Sequence, residues 1–245
     1  MHAINSNVEM EKDMQQIVLE RLEKLDYRSN EAYKSLRTNI QFCGSDVKLI
    51  CITSCLPDEG KSSISFHLAS SLAESGKRVI YVDADLRRSA TIGRYKPDQA
   101  VNGLTHYLSG MCTLEEILYE TNEINLDMVF TGPVPPNPSE LLGSDLFIQL
   151  IRMLRENYDY VIVDTPPLGN VIDSAIIAKY CDGVILVIEA NAISYKLAQK
   201  VKKQLDKGNC RILGAVLNKV AQNDSNYRYY GKKYKKYSNK YYSMY

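Results

Sequence analysis

The stretch Thr53-Ser54-Cys55-Leu56-Pro57-Asp58-Glu59-Gly60-Lys61-Ser62-Ser63 has the residue types to cradle a polyphosphate. An apolar run, Val47 to Ile52, precedes it and reads as a buried strand. Helical spacing from Ile64 to Ala73 follows it. A strand-to-helix loop closing on Gly-Lys-Ser turns backbone N–H groups inward, and the helix N-terminus adds partial positive charge. Lys61 would bring a full charge to the β- and γ-phosphates, and the Ser62 hydroxyl would ligate Mg²⁺. The strict pattern asks for glycine at position 55, where this chain has Cys55.

Three carboxylates belong with that loop. Asp83 closes the apolar run from Arg78, with Asp85 two residues on, and Asp164 closes the run from Asp159. In open α/β sheets ligands bind at the C-terminal ends of strands. The loop leaves from that same edge, so phosphates, Lys61, Ser62 and three acids should converge. One or two of the aspartates can hold Mg²⁺, directly or through water. A carboxylate left over can accept a proton from an attacking hydroxyl.

The elements that must position these groups alternate. Strands are expected at 47–53, 78–83, 126–130, 159–164, 184–189 and 211–217. Helices are expected at 29–42, from the loop to Ser75, from a capping box at Thr113 to about Glu120, at 140–156, 173–180 and 195–205. Strands apolar on both faces between helices indicate an α/β domain over 29–221, a P-loop-type, mostly parallel sheet flanked by helices on both faces. Residues 1–28 are polar, with an apolar patch at Ile17, Val18, Leu19, Leu22 and Leu25. They read as a short amphipathic helix or a loosely held arm. On helix 29–42, Ala32, Leu36, Asn39, Ile40 and Cys43 form an apolar stripe. Glu31, Lys34 and Arg37 form a charged face, either solvated or a subunit contact.

Composition narrows the class. Hydrophobic residues make up 45% of 245, enough for a full core, and net charge is +1, so no global field draws nucleic acid. Six cysteines form no C-x-x-C pair and three histidines are scattered, which fits reduced thiols and no zinc site. No signal-type or membrane-length apolar run occurs, so a cytoplasmic protein is expected, reaching a membrane through a partner. Residues 222–245 hold Tyr227, Tyr229, Tyr230, Tyr234, Tyr237, Tyr241, Tyr242 and Tyr245, with six basic residues against one acid. So little apolar bulk reads as a disordered tail.

These motifs together resemble the bacterial tyrosine kinases of capsule and exopolysaccharide export, over about residues 29–245. Thr53 to Ser62 is similar to their Walker A motif, in which the first glycine is commonly missing. Val-Ile-Tyr-Val-Asp-Ala-Asp-Leu-Arg-Arg, with Asp83 and Asp85, resembles their second Walker A motif. Val161-Ile-Val-Asp164-Thr-Pro-Pro resembles their Walker B motif, and Gly132 to Leu142 a family-like loop. The resemblance implies an ATP- and Mg²⁺-dependent tyrosine autokinase. Asp58, Glu59, Gly60, Lys61, Ser62 and Ser63 would hold the nucleotide. Asn218 and Lys219 would meet adenine. Ser62, Asp85 and Asp164 would hold the metal, and Asp83 would take the tyrosine proton. The eight tail tyrosines would be the acceptors, phosphorylated in trans in a homo-oligomeric ring.

Glu31, Lys34 and Arg37 resemble the family's E-x-x-R-x-x-R oligomerisation motif. Lys34 replaces an arginine and cannot make its bidentate fork, so weaker assembly or other contacts are expected. The family implies two further partners, a transmembrane co-polymerase that recruits the kinase to the inner membrane face and a protein-tyrosine phosphatase. The rivals fit less well. A positioning ATPase of the related partition and cell-division group would carry a signature lysine where Leu56 stands. An iron–sulfur carrier would need a C-x-x-C pair. A basic, aromatic tail could instead bind nucleic acid by stacking, and an ATP-binding scaffold would leave the acids without use.

Overall fold

The computed structural model describes residues 14–220. Residues 1–13 and 221–245, including all eight tail tyrosines, lie outside the described residues. One eight-stranded sheet runs through the domain in the order β1-β4-β5-β3-β6-β2-β7-β8. Its strands are β1 (Gln15–Ile17), β2 (Leu49–Ser54), β3 (Val79–Asp83), β4 (Tyr119–Thr121), β5 (Leu126–Val129), β6 (Tyr160–Asp164), β7 (Gly183–Glu189) and β8 (Ile212–Asn218). Every neighbouring pair is parallel except β4 with β5. The central strands β3, β6 and β2 are almost wholly buried, as strands covered on both faces must be.

Alternation along each strand feeds two cores. Cys51, Ile80, Val82, Val161 and Val163 point to one, with Phe147, Leu150, Ile151 and Leu154. Ile50, Ile52, Val79, Tyr81 and Ile162 point to the other, with Phe66, Leu68, Ala69 and Leu72. The covering helices are α1 (Tyr27–Gln41), α2 (Lys61–Glu74), α6 (Asp145–Asn157), α7 (Asp173–Ala178) and α8 (Tyr195–Lys207). Short helices α3 (Thr91–Tyr95), α4 (Leu104–Leu108) and α5 (Pro138–Leu142) punctuate the connections.

Four local expectations are corrected. The 17–25 patch opens on a strand: Ile17 and Leu19 are buried while Val18 is 47% exposed, a period of two. β1 pairs with β4, and Leu19 bridges Pro97. The Thr113 box does form, with Thr113 N donating to Glu116 at 2.7 Å. Only a 3₁₀ turn, Glu115–Ile117, follows, because Tyr119 and Glu120 pair with β5. The 140–156 helix is two: the first closes at Gly143, and Ser144 caps α6 through Phe147 N. On α1 the inward residues are Tyr33, Leu36 and Ile40, whereas Ala32 and Asn39 are exposed.

Candidate active site

β3, β6 and β2 lie side by side, with Asp83 opposite Asp164 and Asp164 opposite Ile52 in the register. The loop after β2 therefore rises beside both acids. Gly60 caps α2 with φ +87°, in the left-handed region. A Cβ there would sit 2.1 Å from Asn218 Nδ2, so position 60 needs glycine on two counts. Where the loop lacks glycine, at buried Cys55, a Cβ on Gly169 would lie 2.0 Å from the Cys55 carbonyl oxygen. The close backbone approach is made from the other side.

Lys61 is 7% exposed and its ammonium is the hub. Nζ lies 2.7 Å from Asp164 Oδ1, 3.3 Å from Ser62 Oγ and 4.0 Å from Asp85 Oδ2. Asp164 is buried and fully engaged. Ser65 Oγ donates to its Oδ1 at 3.1 Å, and Tyr81 OH donates to its Oδ2 at 3.1 Å. Burial, with Asp164 beside it, pushes the Tyr81 hydroxyl well above its ordinary range, so Tyr81 stays a donor.

Asp85 accepts from the Arg87 and Arg88 backbone N–H groups and faces the cleft. Asp83 is fully buried behind it, accepting from Asp85 N and from the Ser89 hydroxyl. Burial, then the negative charge of Asp164, pushes the Asp83 carboxyl up to about 7. The folded chain thus keeps a proton that the unfolded chain releases near pH 4. Stability from this group is greatest below that value and is lost as pH rises towards 7. In nucleotide- and metal-free protein, stability lost between pH 4.5 and pH 7 should be smaller for Asp83→Asn than for wild type, read as the change in melting temperature. Parallel profiles would show that Asp83 is ionised throughout.

Glu59 is 2% exposed and acts as a brace. Its carboxylate accepts from Leu56 N at 2.6 Å and from Glu189 N at 3.1 Å, tying the loop to the end of β7. Asn218 Nδ2 donates to the Glu59 carbonyl, and Lys219 Nζ donates to the Asp58 carbonyl and pairs with Glu189. The loop is stitched to β8 by the two residues expected at the base; Lys219 lines the cleft as well.

The cleft holds about 550 Å³. Pro57, Asp58, Gly60, Lys61 and Ser62 line one wall, and Arg87, Arg88 and Arg94 the other. Sequence reasoning assigned those arginines no role. For Arg87 and Arg88 the signal was Leu86-Arg87-Arg88 running straight on from Asp85. Arg87 grips buried Asp173 in two bonds of 2.6 and 3.1 Å and reaches Ser139 at 2.9 Å. That pair raises the Arg87 pKa further and locks the proline-rich loop to β3.

The charged face of α1 divides. Lys34 pairs with Glu31 at 2.8 Å, while Arg37 turns onto α2, with Nη1 2.5 Å from the Ser71 carbonyl.

The donor set suits a hard cation. Ser62, Asp85 and Asp164 present oxygens around one point that Lys61 Nζ now shares, and two carboxylates with a hydroxyl are what Mg²⁺ uses beside phosphate oxygens. Among the described residues no group of three or more His, Cys, Asp or Glu could hold a metal alone.

Residues 47–212 match the family described as AAA domain, more than half of the chain. Tyrosine-protein kinase CpsD of Streptococcus agalactiae is 43% identical over 204 residues, covering 83% of this chain and 89% of that one. Tyrosine-protein kinase YwqD of Bacillus subtilis is 38% identical over 208 residues, covering 84% and 87%. The solved kinase domain of Escherichia coli tyrosine kinase ETK superposes with a TM-score of 0.76 at 34% identity, covering 80% and 77%. With its loop, its three strand-end acids and these relatives aligned along most of its length, the chain belongs to the bacterial tyrosine-protein kinases built on an AAA-type P-loop domain.

Proposed function

We propose that this kinase transfers the γ-phosphoryl group of ATP to tyrosines 227–245 of a neighbouring copy. The observation that carries the reading is Lys61, clasped by Asp164 and within reach of Asp85 and Ser62 on one wall of the cleft. In this state the ammonium is neutralised by Asp164. Nucleotide phosphates would compete for it, and the Lys61 side chain would follow them. Asp164, still oriented by Ser65 and Tyr81, would then be free for a cation. Ser62, Asp85 and Asp164 would hold Mg²⁺, which neutralises charge on the β- and γ-phosphates.

The acceptor oxygen would bond to the γ-phosphorus as the bond to the ADP oxygen breaks, and the phenolic proton would pass to Asp83. A tyrosine near pKa 10 and an ordinary carboxylate near 4 differ by about six units. With Asp83 at about 7 the mismatch halves, which is what a base for this proton requires. Ser89 covers Asp83, so the turn at 84–90 must yield as the acceptor enters. Asp58, Gly60, Ser63 and the loop amides would embrace the phosphates, with Lys219 and Asn218 towards the base.

The acceptor segment suits delivery in trans. Twenty-four residues reach roughly 80 Å when extended, and tethering in an oligomer sets an effective concentration of order millimolar. Glu31 and Lys34 remain on the outer face of α1 for a subunit contact, and Arg37 would have to leave Ser71 to join them. Among the described residues no helix is long and apolar enough to cross a membrane. A transmembrane co-polymerase would therefore bring the kinase to the inner membrane face, and a phosphatase would reset the tail. The outcome would be control of capsule or exopolysaccharide synthesis and export.

Changing all eight tail tyrosines to Phe should reduce labelling by radioactive ATP to background while ATP binding stays intact. Strong labelling of that variant would place the main acceptor elsewhere.

A further inference from the structure

Helix α8 carries a feature that phosphoryl transfer does not use. Lys196, Lys200, Lys203 and Lys207 recur at intervals of four, three and four, which sets them on one face over about 16 Å. All four are exposed. With Gln199 and Gln204 they line a shallow groove of about 420 Å³. The acid of this helix, Asp206, is taken by Lys202 on the adjacent row at 2.7 Å. Elsewhere Lys34, Lys61, Arg87, Arg155, Arg211 and Lys219 are each paired with a carboxylate. None of the stripe lysines is in an ion pair among the described residues. Like charges four apart on a helix repel. Residues 1–221 hold 24 basic and 28 acidic residues, so the stripe is a positive line on an acidic body.

The opposite helix face settles how α8 sits. Val201 and Leu205 are buried in the sheet-side core with Leu197 and Ala198 against them. The lysine row is therefore held rigidly outward.

We propose that this row is the dock for the C-terminal segment of the same protein once its tyrosines are phosphorylated. The inference rests on the autokinase reading above. Unmodified, residues 222–245 carry six basic residues and one acid, and the stripe repels them. Each phosphotyrosine brings about −1.5 to −2 charge, so four reverse the sign and eight bring the segment to about −7 to −11. The chain leaves the fold in the right place. Lys219 pairs with Glu189 at the end of β7, and Ser194, five residues further on, caps α8 two residues before the stripe begins. A tail that reaches roughly 80 Å can cover a 16 Å row on its own or a neighbouring subunit. Phosphorylation would thus carry the segment onto the basic helix and keep product out of the active site.

The test uses a synthetic 222–245 peptide, made with eight phosphotyrosines or with none, so it does not depend on which enzyme modifies the tail. Its partner is the full chain carrying the eight Tyr→Phe changes, whose own tail cannot compete by phosphorylation. Fluorescence anisotropy should show binding of the phosphorylated peptide only, weakening as salt rises. Changing Lys196, Lys200, Lys203 and Lys207 together to Gln should weaken it by about tenfold or more, since four exposed pairs are lost. The Lys200→Gln/Lys203→Gln double variant should fall between, and Lys202→Gln should bind as well as the parent. Undiminished binding to the quadruple variant overturns the proposal. So does a quadruple variant that loses only its attachment to phosphatidylglycerol vesicles, which would make the row a membrane surface. Failure of the labelling experiment above, with peptide docking intact, would sink the autokinase reading alone.

Discussion

Lys61→Met is expected to abolish tyrosine phosphorylation and to lower the melting temperature at the same time. The activity loss follows from the ammonium being the mobile charge of the loop, placed among Asp164, Asp85 and Ser62. Removing one such preorganised group costs about two to three orders of magnitude in rate. The stability loss follows from burial. Asp164 is 1% exposed, and the ammonium is its cationic partner. Breaking a buried pair by removing one member costs about 3–5 kcal/mol. Ser65 and Tyr81 still donate to Asp164, so the lower end applies, roughly 6–12 °C for a chain of this size. The double variant Lys61→Met/Asp164→Asn removes the orphaned charge. It should regain most of the melting temperature and none of the phosphorylation. A double variant no more stable than Lys61→Met would mean that the Lys61–Asp164 contact is not what stabilises the ligand-free protein.

Glu59→Ala should give the other large effect, for a different reason. Among the described residues its carboxylate is the side-chain acceptor for both Leu56 N and Glu189 N, the latter 130 positions from Glu59 in the chain. Losing it strands two N–H groups at about 1–3 kcal/mol each. A fall of roughly 5–15 °C in melting temperature is expected, together with much weaker ATP binding, because the loop ahead of Gly60 loses its anchor. Glu59→Gln keeps one acceptor oxygen and should lie between. If Glu59→Ala melted like wild type yet bound ATP poorly, the carboxylate would belong to the nucleotide and not to the brace.

The contrast between these two residues bears on what could be read from residue order. Both stand in one loop and both were assigned to nucleotide. Local pattern placed Lys61 at the start of the helix beside the strand-end acids, since strand, Gly-Lys-Ser and helix lie within one short stretch. It had no means of seeing that Glu59 reaches Glu189, or that Asn218 and Lys219 grip the loop carbonyls. Arg37 shows the same limit on α1, where helical spacing placed it outside with Glu31 and packing turned it onto Ser71. The N-terminal patch at 17–25 and the helix expected after Thr113 failed together. β1 and β4 exist because they pair with each other, and neither has a length or pattern that makes a strand alone.

The order of residues by itself determined the phosphate loop, the alternation of strand and helix, and the acids at strand ends. Each of these is set within a dozen residues by hydrophobic period, glycine geometry and the polarity of a helix start. Tertiary structure decided which strands are neighbours. The order β3-β6-β2 brings Asp83, Asp164 and the loop, separated by as many as 103 positions between Lys61 and Asp164, into contact. That contact buries two acids and a lysine together, and burial raised Asp83 to about 7. Such shifts depend on what surrounds a group in space, and no local spacing encodes them.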